Sequence, residues 1–380
     1  MVFSFSSPLA ILIFALAFLL ILVAAFPYLY YLFGIRFGKK SKKTAVPDIL
    51  PNLSIIISAY NESAVIKKRI ENIALSDYPK EKYKILFIDD CSTDDTGALA
   101  KEAFVENNLS FEIFVNTERK GTNRSYNLAI KKAQTDIIVT TDANKFFRED
   151  TLKILISGLL SDEKIAAVCA EVRPLPKSSS ENLAGMESIY RSFYGRMCDW
   201  ESAADSTYNF NGALVAFKKE IILSINERKG ADDANTAFEA IRKGYRAVYE
   251  VDAVVFEKVP QNINKQYKQK IRRAKRLIEA TLANTDLLKE KRLFSRRFYP
   301  LRIMMYVFCP TLFFAGAILF LAGVFLINPL WTFILIASGV LFLFFFRKNI
   351  ISAFVLNQFY LVSGLLHLGK DMRVWESTSI

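Results

Sequence analysis

Carboxylates standing at the ends of apolar runs are the residues of this chain best suited to chemistry. The clearest case is Asp136-Ile137-Ile138-Val139-Thr140-Thr141-Asp142-Ala143-Asn144. Ile137 to Thr141 is apolar and rich in β-branched side chains, which suits a buried strand. The run stops at Asp142, with Asn144 two positions on. Ligands of an open α/β sheet lie beyond the carboxyl ends of its strands, so these side chains face a crevice. Two oxygen donors so placed can share a hard cation, and such a cation draws phosphate oxygens. Taken alone, a D-x-N is more often an Asx turn. Further acids at other strand ends tip the balance.

Composition narrows the chemistry. The single histidine, His367, lies in a C-terminal hydrophobic stretch. A Ser-His-Asp or Cys-His device in the polar part of the chain is therefore excluded, as is a histidine metal site. Cys91, Cys169, Cys198 and Cys309 have no metal-binding spacing and read as buried thiols of a reducing compartment. Carboxylates must do the work, with lysines and arginines beside them.

The elements that position them follow from periodicity. Strands are expected at Leu53–Ser58, Tyr83–Ile88, Phe111–Val115 and Ile137–Thr141, with helices at Ser63–Ala74, Thr96–Asn107 and Ser125–Lys132 between them. Strands alternating with helices at this spacing predict an α/β, Rossmann-like, mostly parallel sheet with flanking helices. No G-x-G-x-x-G opens the first helix, so the dinucleotide fingerprint is absent.

Hydrophobic blocks frame this domain. Residues 1–35 contain no Asp, Glu, Lys or Arg, and Ile303 to Phe346 is likewise uncharged, broken at Asn328-Pro329. These lengths predict one transmembrane helix in 1–35 and two in 301–346. A cleavable signal peptide is disfavoured because no basic residue precedes Arg36. Residues 347–380 hold an interfacial helix or a fourth span, then a tail. The clusters Arg36 to Lys43, Lys289 to Arg302 and Arg347-Lys348 can all be cytoplasmic at once, which makes the intervening domain cytosolic and the protein a multi-pass one of the cell membrane. The net charge of +12 gathers beside the spans, where it meets anionic membrane lipids rather than nucleic acid.

The runs Ser54 to Glu62, Ile88 to Thr96 and Thr141 to Asn144, followed by Asn209-Phe-Asn-Gly212, Asp232-Asp233 and Gln269-Lys-Ile-Arg-Arg273, resemble the family 2 inverting glycosyltransferases of GT-A fold. With the flanking spans, the chain looks like the membrane-integrated branch that includes cellulose, chitin and hyaluronan synthases. The resemblance implies a GT-A domain over 53–258, joined to the first span by a basic linker at 36–52. Amphipathic helices over 259–300 would carry the Q-x-x-R-R motif. It also implies that Ala59, Tyr60, Glu62, Asp89, Asp90 and Asn123 bind a UDP- or GDP-sugar. Asp142 and Asn144 would hold Mg²⁺ or Mn²⁺, and Asp233 would be the general base. Gln269, Arg272 and Arg273 would lie near the diphosphate, and Trp200, Asn211, Gly212 and Asp232 near the acceptor.

Each has a plainer alternative. Glu62 can simply favour a helix N-terminus, Asp89-Asp90 a turn, Asp232-Asp233 a helix cap, the basic 265–276 helix a headgroup surface, and Trp200 a core or interface position. Three positions depart from the family pattern. Asn144 replaces a second Asp, Thr122 stands where a lysine is usual, and Arg273 replaces the Trp of Q-x-x-R-W. An arginine there suits a phosphate-bearing acceptor better than sugar stacking. The expected function is sugar transfer to a lipid-linked or glycan acceptor at the cytoplasmic face. A processive synthase is the rival within the class, an oligomer would supply its pore wall, and a non-catalytic nucleotide-sugar-binding protein is the rival outside it.

Overall fold

A computed structural model describes residues 8–41, 45–47, 49–175, 181–227, 230–257, 263–346 and 349–370. The sheet is built from β1 (Leu53–Ala59), β2 (Tyr83–Asp89), β3 (Phe111–Val115), β4 (Ile137–Asp142), β5 (Lys145–Phe147), β6 (Ile165–Pro174), β7 (Leu214–Lys218) and β8 (Arg246–Glu257). Their order is β3-β2-β1-β4-β7-β6-β8-β5. The first four strands are parallel, as their spacing predicts. The far half is not: β7 runs antiparallel to both β4 and β6, and β5 antiparallel to β8. The sheet is thus mixed rather than uniformly parallel, a GT-A-like arrangement. The chain after β4 doubles back at the sheet's edge instead of crossing over through a helix at once, which admits antiparallel neighbours.

Period-two alternation sorts the core into two layers. On β1, Leu53, Ile55 and Ile57 pack with α2 (Ile66–Ala74), α3 (Thr96–Glu106) and α5 (Thr151–Leu160). Ile56 faces the other way, with α4 (Thr122–Lys132), α6 (Glu181–Ala204) and α7 (Asp232–Arg242). All four are fully buried, each stabilising the fold by roughly 1.5–3 kcal/mol. Strand order reverses between β1 and β4, whose carboxyl ends align with Ser58 opposite Asp142. A doubly wound sheet opens its crevice at such a reversal.

Two apolar helices, 8–37 and 294–327, are long enough to cross a membrane. α1 (Pro8–Phe37) packs along α10 (Cys309–Ile327), where small residues let the backbones approach. A Cβ on Gly316 would lie 2.8 Å from Ile21 and 3.0 Å from the Ala17 carbonyl. The third expected span forms the shorter α11 (Pro329–Phe345), of 17 residues. α12 (Ile350–Leu366) lies against α8 (Ile263–Ala283). Between α8 and α10, α9 (Tyr299–Ile303) is flanked by π-helical turns at Phe294–Phe298 and Met304–Phe308.

The tryptophan expected beside the acceptor belongs to this junction. Trp200 is 6% exposed and packs edge-on against Tyr31 and Phe298. Its ring fills the space where a Cβ on Gly34 would sit. Trp200 therefore fastens α6 to α1 and does not line the crevice. Beside it, Glu201 and Arg302 are an ion pair at 2.7 Å, both about 1% exposed. The hydroxyls of Tyr31 and Thr207 also donate to Glu201, so the buried charges are satisfied.

Candidate active site

One cavity of about 800 Å³ opens at the β1/β4 reversal. Ala59, Tyr60, Glu62, Asp90, Asn123, Asp142, Asn144, Asn211, Gly212, Asp232, Asp233, Arg272 and Arg273 all line it. Residues separated by more than 200 positions thus converge on one space.

The turn after β1 shapes one wall. Asn61 sits at φ 52°, in the left-handed region, and is tied to the next strand's turn. Its backbone N–H donates to Ser92 at 3.1 Å, and its side-chain oxygen accepts from the Thr93 N–H at 2.8 Å. Asp90 accepts from the backbone N–H groups of Lys120 and Gly121, both at 2.9 Å, and from the Asn116 amide at 2.8 Å. It therefore holds the loop that carries Arg119, whose guanidinium lies 3.5 Å from the centre of the Tyr60 ring. Asp89 points to the opposite face, as its neighbour in a strand must. It accepts from the Ser92 N–H at 2.8 Å, packs against Gly97 and is not among the cavity-lining residues. The expectation that Asp89 binds the nucleotide-sugar is thereby corrected.

Asp142 and Asn144 occupy the end of β4. Fully buried Arg69, unnoticed in the sequence, donates to the Asp142 carbonyl at 3.3 Å and to Thr141 at 2.9 Å. The Asn144 amide nitrogen donates to Glu62 Oε1 at 3.2 Å, which turns Oδ1 the other way. That Oδ1 is buried and has no hydrogen-bond partner. An orphaned acceptor oxygen two residues from a carboxylate fits a divalent cation that takes its other ligands from water or phosphate. Among the described residues, no group of three or more His, Cys, Asp or Glu side chains is placed to hold a metal. Two protein oxygens is the donor set on offer.

Asp233 sits in the first turn of α7 and accepts from the Ala234 N–H at 2.8 Å. Gly212, at φ 71°, faces it closely: a Cβ there would come within 3.3 Å of Asp233 Oδ2. Burial and then the neighbouring Asp232 carboxylate push the Asp233 pKa up to about 8. Asp232 is paired with Arg276 at 3.3 Å, and Arg276 also reaches the Asn123 side chain at 3.4 Å. Asp142 is raised as well, by burial, with Lys145 working against it.

A second acid, also missed, controls the basic wall. Glu257 ends β8 and is 4% exposed. It binds Lys145 at 2.7 Å and pairs with Arg191 and Arg273. Burial alone would raise its pKa, but Arg273, Lys145 and Arg191 overcome that and hold it well below the usual carboxylate range. The signal that marked Asp142, an acid closing an apolar strand, was present in Val254-Val255-Phe256-Glu257 too. Gln269 does not join this wall. It is 7% exposed and absent from the cavity lining, one helical turn from Arg272 and Arg273.

A buried acid with a raised pKa, a pair of oxygens suited to a cation and a cationic wall thus share one cavity. The family profile described as "Glycosyl transferase family 2" matches residues 54–218, and "Glycosyl transferase family group 2" matches residues 137–346. The chain belongs to the family 2 glycosyltransferases. This glycosyltransferase is 28% identical over 285 residues to the poly-beta-1,6-N-acetyl-D-glucosamine synthase of Staphylococcus aureus, a match covering 73% of this chain and 66% of the synthase. A probable glycosyltransferase of Bacillus subtilis is 25% identical over 281 residues, covering 71% of this chain and 65% of the relative. The chain thus spans just under two thirds of the length of these curated relatives. A mannosyltransferase from Pyrobaculum calidifontis, solved in complex with GDP-Man and Mn²⁺, superposes with a TM-score of 0.79 at 27% identity, covering 93% of this chain and 98% of that one.

Proposed function

We propose that this glycosyltransferase moves a sugar, with inversion, from a UDP- or GDP-sugar to a hydroxyl of a membrane-associated, lipid-linked or glycan acceptor at the cytoplasmic face. The observation that carries this reading is the presence of Asp233 and the Asp142/Asn144 oxygens on one cavity. Asp233 takes the proton from the acceptor hydroxyl as it attacks the anomeric carbon; its raised pKa makes it a stronger base than an ordinary carboxylate. Asp142 and Asn144 would hold Mg²⁺ or Mn²⁺, which when bound neutralises charge on the leaving diphosphate. Arg272 and Arg273 stabilise the same charge from the side of α8. Ala59, Tyr60, Glu62 and Asp90 shape the nucleoside end.

The acceptor's character rests on the remaining wall. Ala353, Leu356 and Leu361 of α12, with Tyr306, line the same cavity, so its lining passes from charged to apolar. Such a surface suits an acceptor with an apolar segment. The likeness to the Pyrobaculum mannosyltransferase makes a GDP-sugar with Mn²⁺ the first donor to try. The likeness to a poly-N-acetylglucosamine synthase supports the second reading, a processive synthase.

The test is a screen of UDP- and GDP-sugars for diphosphate release by the purified full chain, with and without Mn²⁺ and with native lipid extract as acceptor. Donor-dependent release is expected, with one sugar added per acceptor on a mass spectrum. A ladder of long products would favour the processive reading. No release with any donor would leave only the non-catalytic alternative.

A further inference from the structure

Glu257 is a carboxylate with three cations. The side chains of Lys145 and Glu257 are each 5% exposed, and those of Arg191 and Arg273 are 15% and 41% exposed. The cations come from three separate elements: β5, α6 and α8. All four side chains line the cavity. Lys145 Nζ also lies 3.9 Å from Asp142 Oδ2, so the cluster adjoins the oxygens suited to a cation. Three like charges on long, flexible side chains repel one another and disperse unless an anion gathers them. Glu257, at the end of β8, gathers them on the cavity wall.

We propose that Glu257 is a positioning residue that holds Lys145, Arg191 and Arg273 as a preformed subsite for the oxygens of a phosphate group. The inference rests on the proposed glycosyl transfer and extends it to Glu257, Lys145 and Arg191, which lie outside the motifs of the sequence. Two sources supply that chemistry: the diphosphate leaving the donor, or a phosphate carried by a lipid-linked acceptor. Preformed donors need no reorganisation when the anion arrives, which is the general advantage of a built site over surface lysines.

Binding calorimetry on the detergent-solubilised full chain tests this with two probes. GDP and UDP, compared with guanosine and uridine, report the donor arm; decyl phosphate, compared with decanol, reports the acceptor arm. Arg191→Gln and Glu257→Gln are expected to weaken the responding phosphate probe about tenfold, as loss of a charge-assisted contact should. The phosphate-free partner should bind unchanged, and Glu257→Asp should recover part of the loss. Weakening confined to the nucleotides assigns the subsite to the leaving diphosphate, and weakening confined to decyl phosphate assigns it to the acceptor. Unchanged binding of both probes in Arg191→Gln overturns the proposal even if Glu257→Gln does not fold. Tighter phosphate binding in Glu257→Gln also overturns it, since Glu257 would then only repel the anion. Probe binding that responds as expected in a chain that releases no diphosphate from any donor would sink the transferase reading and leave the subsite standing.

Discussion

Asp233 has surroundings that change its chemistry. Burial and the adjacent Asp232 favour its neutral form, while the Ala234 N–H bond favours the charged one; burial wins and the pKa rises. A base must be deprotonated to act, so transfer is expected to climb as pH rises through neutrality. The acid limb of kcat/KM should lie well above the usual carboxylate range. Asp233→Asn is expected to lower kcat by about 10²–10⁴ and leave donor binding intact, measured by diphosphate release beside calorimetry with the nucleotide. Wild-type turnover in that variant would remove Asp233 from the role. Asn144 shows the same dependence on neighbours. Its amide is oriented by Glu62, so an oxygen, not a nitrogen, is left without a partner at the cavity.

Elements set how finely those residues can be placed. The 209–212 segment brings Gly212 against Asp233 only because glycine accepts φ 71° and has no side chain at the contact. Gly212→Ala would place a β-carbon 3.3 Å from the carboxylate in a backbone region that costs an L-residue about 1–2 kcal/mol. The expected result is a lower Tm by a few degrees and a fall in kcat larger than the change in nucleotide affinity. Equal loss of both would mean a general disturbance of the fold. The strand ends behave similarly: β1 and β4 fall in register with Ser58 opposite Asp142, so residues 84 positions apart meet at one edge. Asp89 and Asp90, adjacent in sequence, point to opposite faces, and only Asp90 reaches the cavity.

At the scale of the whole molecule, the polar domain and the apolar helices are a single packed unit. Trp200 fits against Gly34 of α1, and Tyr31 of α1 donates to Glu201. Arg302 completes that ion pair and passes a 2.9 Å bond to Tyr306, which donates to Asn209 at 2.8 Å, three residues before Gly212. Deleting α1 takes the Tyr31 donor from buried Glu201, which costs about 1–3 kcal/mol, and also strips the cover from the Trp200 ring. A chain lacking residues 1–37 is therefore expected to aggregate or unfold at a Tm lower by ten degrees or so, even in detergent, as size-exclusion chromatography and thermal unfolding would report. A monodisperse truncated protein of unchanged Tm would show that α1 is only an anchor.

The strand–helix alternation from Leu53 to Asp142 was legible from the sequence because β-branched runs and helical periodicity are local properties. So was the site's chemical character, since one histidine and a series of acids closing apolar runs leave few alternatives. Most of the residues to which the family motifs pointed line the cavity. Tertiary structure decided what depends on partners distant in the chain. It turned Asp89 away, withdrew Gln269 from the cavity, buried Trp200 against α1 and ran β7 and β5 antiparallel. It also assembled Lys145, Arg191 and Arg273 around Glu257 from three elements. Local preference fixes which way a backbone runs for a few residues; direction in space, burial and charge pairing are settled only when the layers pack.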